Sequence, residues 1–190
     1  MRRRDVEGNR ALTATVAALL LVLLLVEGLT LVAMRPLLPV HIFVGMLLVP
    51  LVALKLVVVS YRFARYYLRD FDYRTAGPPQ TFLRLLGPPL VLSTGALFGT
   101  GVALVLLGRS GILLGLHKAS FVVWFGAMGV HVLAHARRVL DVLRRRVPGT
   151  GRRIALVGAS VLAGAVIATA TIPKADVWQD RNLPEAVDVG

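Results

Sequence analysis

The sequence predicts an all-α membrane protein, a polytopic bundle of about five transmembrane helices. The first observation is composition: 56% of the 190 residues are hydrophobic and the mean hydropathy is +0.74, whereas soluble domains are about 45–50% apolar. The second is that five apolar segments approach or exceed the roughly 20 residues that a helix needs to cross the hydrocarbon core. The third is the placement of arginines between these segments, which indicates an orientation.

The five predicted spans use most of the apolar sequence. The first is preceded by three arginines, as a signal peptide would be, but its apolar run is too long and no small-residue cleavage site follows it. We therefore expect a single membrane domain over residues 1–190, with residues 175–190 as an extracytoplasmic tail. The predicted spans are Ala11–Met34, Leu38 to about Ser60, about Leu85–Leu107, about Ile112–Ala134 and Ile154–Ile172.

Arginines are concentrated on one side of the predicted bundle. The N-terminus, the link after the second span and the link after the fourth span carry most of them, while the other loops hold little beyond Arg35 and Arg109. By the positive-inside rule, the N-terminus is cytoplasmic and the C-terminus lies outside. We expect a multi-pass protein of the cell (plasma) membrane, with the lipid bilayer as its first partner.

The same arrangement explains the net charge of +12. No basic stretch stands apart from a membrane flank, so we expect no nucleic-acid partner. The chain has no cysteine, which excludes disulfides, thiolate metal sites, iron–sulfur ligation and thioether-linked haem.

All four histidines lie in or at the ends of the second and fourth spans. Both spans run inward from the outer side, so we expect them to be parallel and neighbouring. His41 and His117 each lie a few residues below the outer end and therefore at similar depth. Ionisable residues inside a span are costly and usually functional. Two imidazoles at one depth can hold a haem iron between them; the alternative is that both hydrogen-bond to neighbouring helices.

A second level is predicted further into the membrane. His131 follows His117 by fourteen residues, about 21 Å along a helix, and faces roughly the same way. The equivalent position on the second span is Lys55. The spacing suits a second haem, for which Lys55 would either ligate the iron or pair with a propionate. His135 either caps the end of its helix or chelates a transition metal together with His131.

Glu27 is a further anomaly, about 10 Å below the outer end of the first span at helical rise and so near the depth of His41. It could hydrogen-bond the free nitrogen of a ligating imidazole, relay protons, or be a carboxyl kept neutral by burial. Glycines near the histidines leave room either for a flat macrocycle or for a closely packed helix. They include Gly45, Gly95, Gly99, Gly101, Gly126 and Gly129.

This pattern resembles the b-type haem membrane cytochromes of bacteria. Parallel helices with histidines fourteen residues apart are similar to those of the cytochrome b subunits of respiratory complexes. The motifs HKASFVVWF and HVLAH, with LKLVVVSYRFARYY and YRTAGPP, are similar to small actinobacterial membrane proteins classed as cytochrome b or ferric-reductase-like. The resemblance covers about residues 38–140.

The resemblance implies that His41 and His117 form one axial pair and that His131 is half of another. Lys55 stands where the fourth histidine would be, which leaves open whether the second haem is missing, has unusual ligation or uses His135. The implied function is electron transfer through haem b, one haem with a second open, with His41, His117 and His131 as iron ligands and with Lys55, His135 and Glu27 around them.

The chain has no nucleotide-binding glycine fingerprint. We therefore expect electrons to come from a quinone pool or a redox partner subunit. Whether the chain is itself an oxidoreductase component, resembling a quinol or ferric reductase, stays open, as does its oligomeric state. Two other functions compete with electron transfer: a histidine-dependent metal or proton transporter, and a non-catalytic membrane scaffold.

Overall fold

The computed structural model describes residues 2–68, 71, 81–108, 110–144 and 150–180. This part of the chain is helical, without strands, which confirms the predicted all-α class. A 3-10 turn at Leu31–Ala33 separates the first two helices. The long helices are α1 (Arg2–Thr30), α2 (Met34–Tyr67), α3 (Thr81–Leu107), α4 (Gly111–Arg144) and α5 (Thr150–Asp180).

Apolar stretches long enough to cross a membrane account for most of the described residues. The first of them contains both α1 and α2, so the four stretches hold five long helices, close to the predicted number. The chain is thus suited to a multi-pass position in a bilayer. The stretches are Val6–Tyr67, Leu85–Leu107, Gly111–His135 and Gly151–Lys174.

The helices α1 and α2 fold back on one another as an antiparallel pair. Near one end of the pair, His41 Nδ1 lies 2.9 Å from Glu27 Oε1. Further along, Lys55 Nζ donates to the main-chain carbonyl of Thr13 at 2.8 Å. Both contacts have the same register and are separated by fourteen residues on each helix, which corresponds to about 21 Å.

Several helices extend beyond the predicted spans. The α2 helix ends at Tyr67 instead of about Ser60, and α4 reaches Arg144. The α5 helix continues to Asp180, so the first residues of the predicted tail at 175–190 are helical, while residues 181–190 lie outside the described part. Hydropathy marks only the part of a helix that lies in hydrocarbon, whereas backbone hydrogen bonding continues a helix into the headgroups and water.

Four of the helices form a ring. The α1 helix packs on α2, α2 on α3, α3 on α4, and α4 on α1. The expectation that α2 and α4 are direct neighbours is therefore wrong: in the described residues they occupy opposite corners and make almost no direct contact. The α5 helix lies outside the ring, mainly against α2.

The α2 helix lies at the centre of the apolar core. Its fully buried Leu48 and Leu51 cluster with Val16 of α1. Elsewhere on α2, Ile42 belongs to a second cluster that includes Ala168 of α5. Packing against these neighbours holds α2 in one position and rotation, and this in turn fixes where its polar side chains lie.

A glycine allows the close approach of α5 to α2. A Cβ atom added at Gly164 would collide with the main-chain carbonyl of Leu47. Gly158, nearly two turns earlier on α5, has nothing within 4 Å of the same added atom. The two glycines therefore differ in what surrounds them, although both lie inside the same helix.

We expect Gly164→Ala to destabilise the protein by on the order of 1–3 kcal/mol, as overpacking does, because the Leu47 carbonyl is backbone and α5 would have to move. Gly158→Ala is the matched control, and it should be neutral or stabilising by up to about 1 kcal/mol from helix propensity. Thermal unfolding in detergent, followed by circular dichroism, measures both. Equal midpoints for the two variants would contradict the close packing of α5.

The orientation in the membrane can be tested with single cysteines, since the natural chain has none. Ser110 precedes α4 and Thr150 begins α5, at opposite ends of the bundle. In right-side-out vesicles, a membrane-impermeant maleimide should label Ser110→Cys directly and Thr150→Cys only after permeabilisation, because the arginine-rich side stays inside. The reverse labelling pattern would invert the predicted topology.

Candidate functional site

A layer of polar side chains crosses the ring at one depth. Glu27 and Thr30 come from α1, His41 from α2, Thr100 from α3 and His117 from α4, so every helix of the ring contributes. The two histidines lie close enough to interact electrostatically. The structure thus brings together the three residues that counting from the outer ends put at similar depth, and it adds the two threonines.

The surroundings of His41 determine which of its nitrogens carries the proton. Nδ1 lies 2.9 Å from Glu27 Oε1 and 2.9 Å from Thr30 Oγ1. The Thr30 hydroxyl donates to the main-chain carbonyl of Glu27, so its oxygen acts as an acceptor towards His41. The Glu27 oxygen likewise only accepts when the carboxyl is ionised. A neutral imidazole has a single proton, which must therefore be on Nδ1, and this leaves the lone pair on Nε2.

The surroundings of His117 have the same effect. Its Nδ1 lies 3.1 Å from Thr100 Oγ1 and 3.2 Å from the main-chain carbonyl of Leu97. The Thr100 hydroxyl donates to the carbonyl of Ala96 at 2.6 Å, so it too offers only its oxygen. Both partners of Nδ1 are acceptors, and the neutral ring again carries its proton on Nδ1 and its lone pair on Nε2.

The two Nε2 atoms share a second property. In the part of the chain that the structure describes, neither accepts nor donates a hydrogen bond, since both rings bond through Nδ1. A histidine whose Nδ1–H is held by an acceptor while Nε2 stays free has the arrangement found in metal-ligating histidines. Thr30 and Thr100 are not predicted as site residues, because their only signal in the sequence is a hydroxyl near histidine depth on an adjacent span.

Two glycines make room for this polar layer. A Cβ atom at Gly45 would lie 3.3 Å from Glu27 Oε1, and one at Gly101 would lie 3.1 Å from His117 Cε1. The space beside these glycines is thus taken by a carboxyl and an imidazole. The other glycines considered above have nothing within 4 Å of an added Cβ, so no closely packed helix explains them: Gly95, Gly99, Gly126 and Gly129.

Glu27 is bound through one of its two oxygens. Oε1 contacts His41, whereas Oε2 is buried and has no hydrogen-bond partner among the described residues. The Glu27 side chain is 17% exposed. Of the three roles considered for this residue, a hydrogen bond to an imidazole is the one for which the structure has a contact.

The second level is built differently. Lys55 lies close enough to His131 to interact electrostatically, but its Nζ is hydrogen-bonded to the Thr13 carbonyl of α1. The rings of His131 and His135 stack with their centroids 4.3 Å apart. His135 Nδ1 lies 3.0 Å from the His131 carbonyl and donates to it, which ties this ring to the backbone of its own helix.

A largely apolar layer separates the two levels. Trp124 lies seven residues from both His117 and His131, about 10 Å from each along the helix, and is 6% exposed. Its Nε1 donates to Thr94 Oγ1 of α3 at 3.1 Å. Leu48, seven residues beyond His41 on α2, is fully buried. The indole is therefore fixed in place between two polar groups. The upper level is the layer that contains His41 and His117, and the lower level contains Lys55, His131 and His135.

The number of metal-ligating side chains in the upper level determines which kinds of metal centre it could hold. Among the described residues, no three His, Asp or Glu side chains are grouped as a metal-ion site would require. His41 and His117 supply two nitrogens, which is the number that a bis-histidine haem takes from the protein, since the porphyrin provides the other four.

No family model, curated protein or solved structure matches this chain. The interpretation of the site accordingly rests on its own geometry, and the resemblance to b-type cytochromes stays a prediction.

Proposed function

We propose that this chain is a membrane-embedded b-type cytochrome in which His41 and His117 bind one haem iron from opposite sides. The observation that carries the proposal is the state of the two rings: each has its Nδ1 proton held by acceptors and its Nε2 lone pair free. Haem bound there would supply a one-electron redox centre whose potential depends on its axial ligands and their hydrogen bonds.

The arrangement of the ring supports this proposal. Helices in direct contact lie about 8–10 Å apart, too close for a porphyrin with an imidazole on each face. Because α2 and α4 occupy opposite corners, their axes are separated by the diagonal, about 11–14 Å for a ring with that spacing. The diagonal separation of α2 and α4, which keeps the two helices out of direct contact, is thus the separation that bis-histidine ligation needs.

The surrounding residues would position the two ligands. Thr30 with Glu27 holds one ring against α1, and Thr100 holds the other against α3. Rings oriented in advance lose little freedom when they bind a metal, and the hydrogen bonds to Nδ1 keep both in the ligating tautomer.

The electron donor is proposed by chemical class only. A quinol or a redox partner subunit would reduce the iron one electron at a time, with the chain acting as an oxidoreductase component in the cell membrane. The absence of a nucleotide-binding glycine fingerprint in the sequence supports this choice over a nicotinamide donor.

The lower level supports one haem more than two. Lys55 donates to the Thr13 carbonyl instead of standing free as a ligand opposite His131. An ammonium group in the same place would also oppose the binding of a cationic iron centre by electrostatic repulsion. We therefore propose one haem, at the level of His41 and His117.

A metal or proton transporter draws on the same polar layer, with Glu27 as its buried carboxyl. A transport path would have to continue towards Lys55 and His131. Between the two levels the described structure has the buried Trp124 and Leu48, which offer little to an ion beyond the hydrogen-bonded indole. Transport is therefore the second candidate.

We expect the protein purified in detergent to show a b-type α band in its dithionite-reduced minus oxidised spectrum, with haem that can be extracted without covalent cleavage. His41→Ala and His117→Ala should each abolish the bis-histidine spectrum, because each removes an axial ligand. His135→Ala is the matched control on α4 and should keep the band.

Other outcomes would decide against the proposal. Equal loss of the band in His135→Ala and His117→Ala would overturn the ligand assignment. Stoichiometric zinc or nickel without haem would favour the transporter. A colourless, metal-free protein would favour a membrane scaffold.

The haem-to-protein ratio tests the lower level. A pyridine haemochrome assay should give about one haem per chain, with an unchanged ratio in His131→Ala, because a single axial pair is complete. A ratio near two that falls to about one in His131→Ala would contradict the proposed role of Lys55. It would show instead a second haem with unusual ligation.

A further inference from the structure

We infer that Glu27 is a positioning residue that lowers the reduction potential of the haem, an inference that rests on the function proposed above. The starting point is a difference between the two imidazoles. The acceptors at His117 Nδ1 are the Thr100 hydroxyl and the Leu97 carbonyl, both neutral groups. At His41 Nδ1, one acceptor is also a hydroxyl but the other is a carboxyl group.

A carboxylate acceptor changes the imidazole that it binds. A hydrogen bond to a charged acceptor is roughly twice as strong as one between neutral groups, and it makes the ligating nitrogen more basic. A more basic axial ligand donates more electron density to iron and stabilises the ferric state over the ferrous state. The bond between His41 and Glu27 would thus favour the oxidised form of a haem held by His41.

The charge of the carboxylate acts in the same direction. A ferric porphyrin core with two neutral imidazoles carries one positive charge, and the ferrous core carries none. A nearby negative charge therefore stabilises the oxidised form selectively, and it does so more strongly in apolar surroundings than in water. Glu27 Oε2 is buried without a hydrogen-bond partner among the described residues, so no hydrogen bond to this oxygen disperses the charge.

The position of the carboxyl is built by its neighbours. Gly45 leaves the gap on α2 into which Oε1 fits, with an added Cβ only 3.3 Å away. Thr30 bonds both to the Glu27 carbonyl and to the His41 ring, which links the backbone of α1 to the imidazole. The carboxyl is thus held in contact with Nδ1 of the His41 ring.

Redox titration of the haem-loaded protein tests the inference. Glu27→Gln keeps the size of the side chain and a carbonyl oxygen for Nδ1–H but removes the charge. We expect the midpoint potential to rise while the haem content stays the same. Glu7→Gln removes a carboxyl from the same helix at an exposed position and should leave the potential unchanged. A residue that only maintained the fold would give equal potentials in both variants.

A second pair of variants moves the carboxyl without replacing it. Gly45→Ala should push Oε1 away from its present position by a few tenths of an ångström, weaken its bond to His41 and raise the potential, though less than Glu27→Gln does. Gly28→Ala, on α1, has nothing within 4 Å of the added Cβ and serves as the control. This pair decides the matter if Glu27→Gln does not retain haem.

The outcomes separate this inference from the proposed function. If the natural chain binds no haem, the proposed function fails before any variant is compared. If haem is bound but Glu27→Gln titrates at the potential of the natural chain, the role of Glu27 is overturned and the cytochrome proposal stands. A fall in potential in Glu27→Gln, or no shift in Gly45→Ala where Glu27→Gln loses its haem, would also overturn it.

Discussion

A neutral imidazole has one proton for two nitrogens, and the interpretation of this bundle depends on that constraint. Around Nδ1 of His41 and of His117, the contacting groups act as acceptors, so the proton is committed on that side of each ring. Thr30 and Thr100 donate their own hydroxyl protons to carbonyls three or four residues earlier, as threonines in helices commonly do. The hydrogen bond that each threonine donates within its own helix therefore influences the tautomer of a histidine on the next helix.

Packing determines whether the two rings can act together. The α2 helix is surrounded by apolar neighbours and is pressed closely by α5 at Gly164. By contrast, few residues in the apolar stretch of α4 are buried, and Trp124 is its one buried apolar side chain among the described residues. The hydrogen bonds from α4 to α3, through Trp124 and His117, therefore contribute to the position of α4 as well as to the site. The site and the assembly of the ring share these contacts.

The sequence predicts depth better than it predicts adjacency. Hydropathy and helical rise put Glu27, His41 and His117 at similar levels because depth depends only on counting residues from a span's end. Which spans touch, and how each is rotated, depends on side-chain packing between helices, so the ring order was not foreseen. The partner of Lys55 is a backbone carbonyl, which every residue has and which leaves no sequence signal. For the space beside Gly45 the sequence likewise predicts a macrocycle or a helix, whereas a carboxyl occupies it.

The two polar levels differ in electrical character, and this difference distinguishes them more sharply than their spacing does. The upper level surrounds its imidazoles with acceptors, including the carboxyl of Glu27, so a cation held by the rings would gain from its surroundings. The lower level combines Lys55 with His131 and His135, and its described hydrogen bonds are donated to backbone carbonyls. Equal steps of fourteen residues on α2 and α4 suggest two equivalent sites. A cationic metal centre would discriminate between them, because among the described residues the upper level holds the Glu27 carboxyl and the lower level the Lys55 amine.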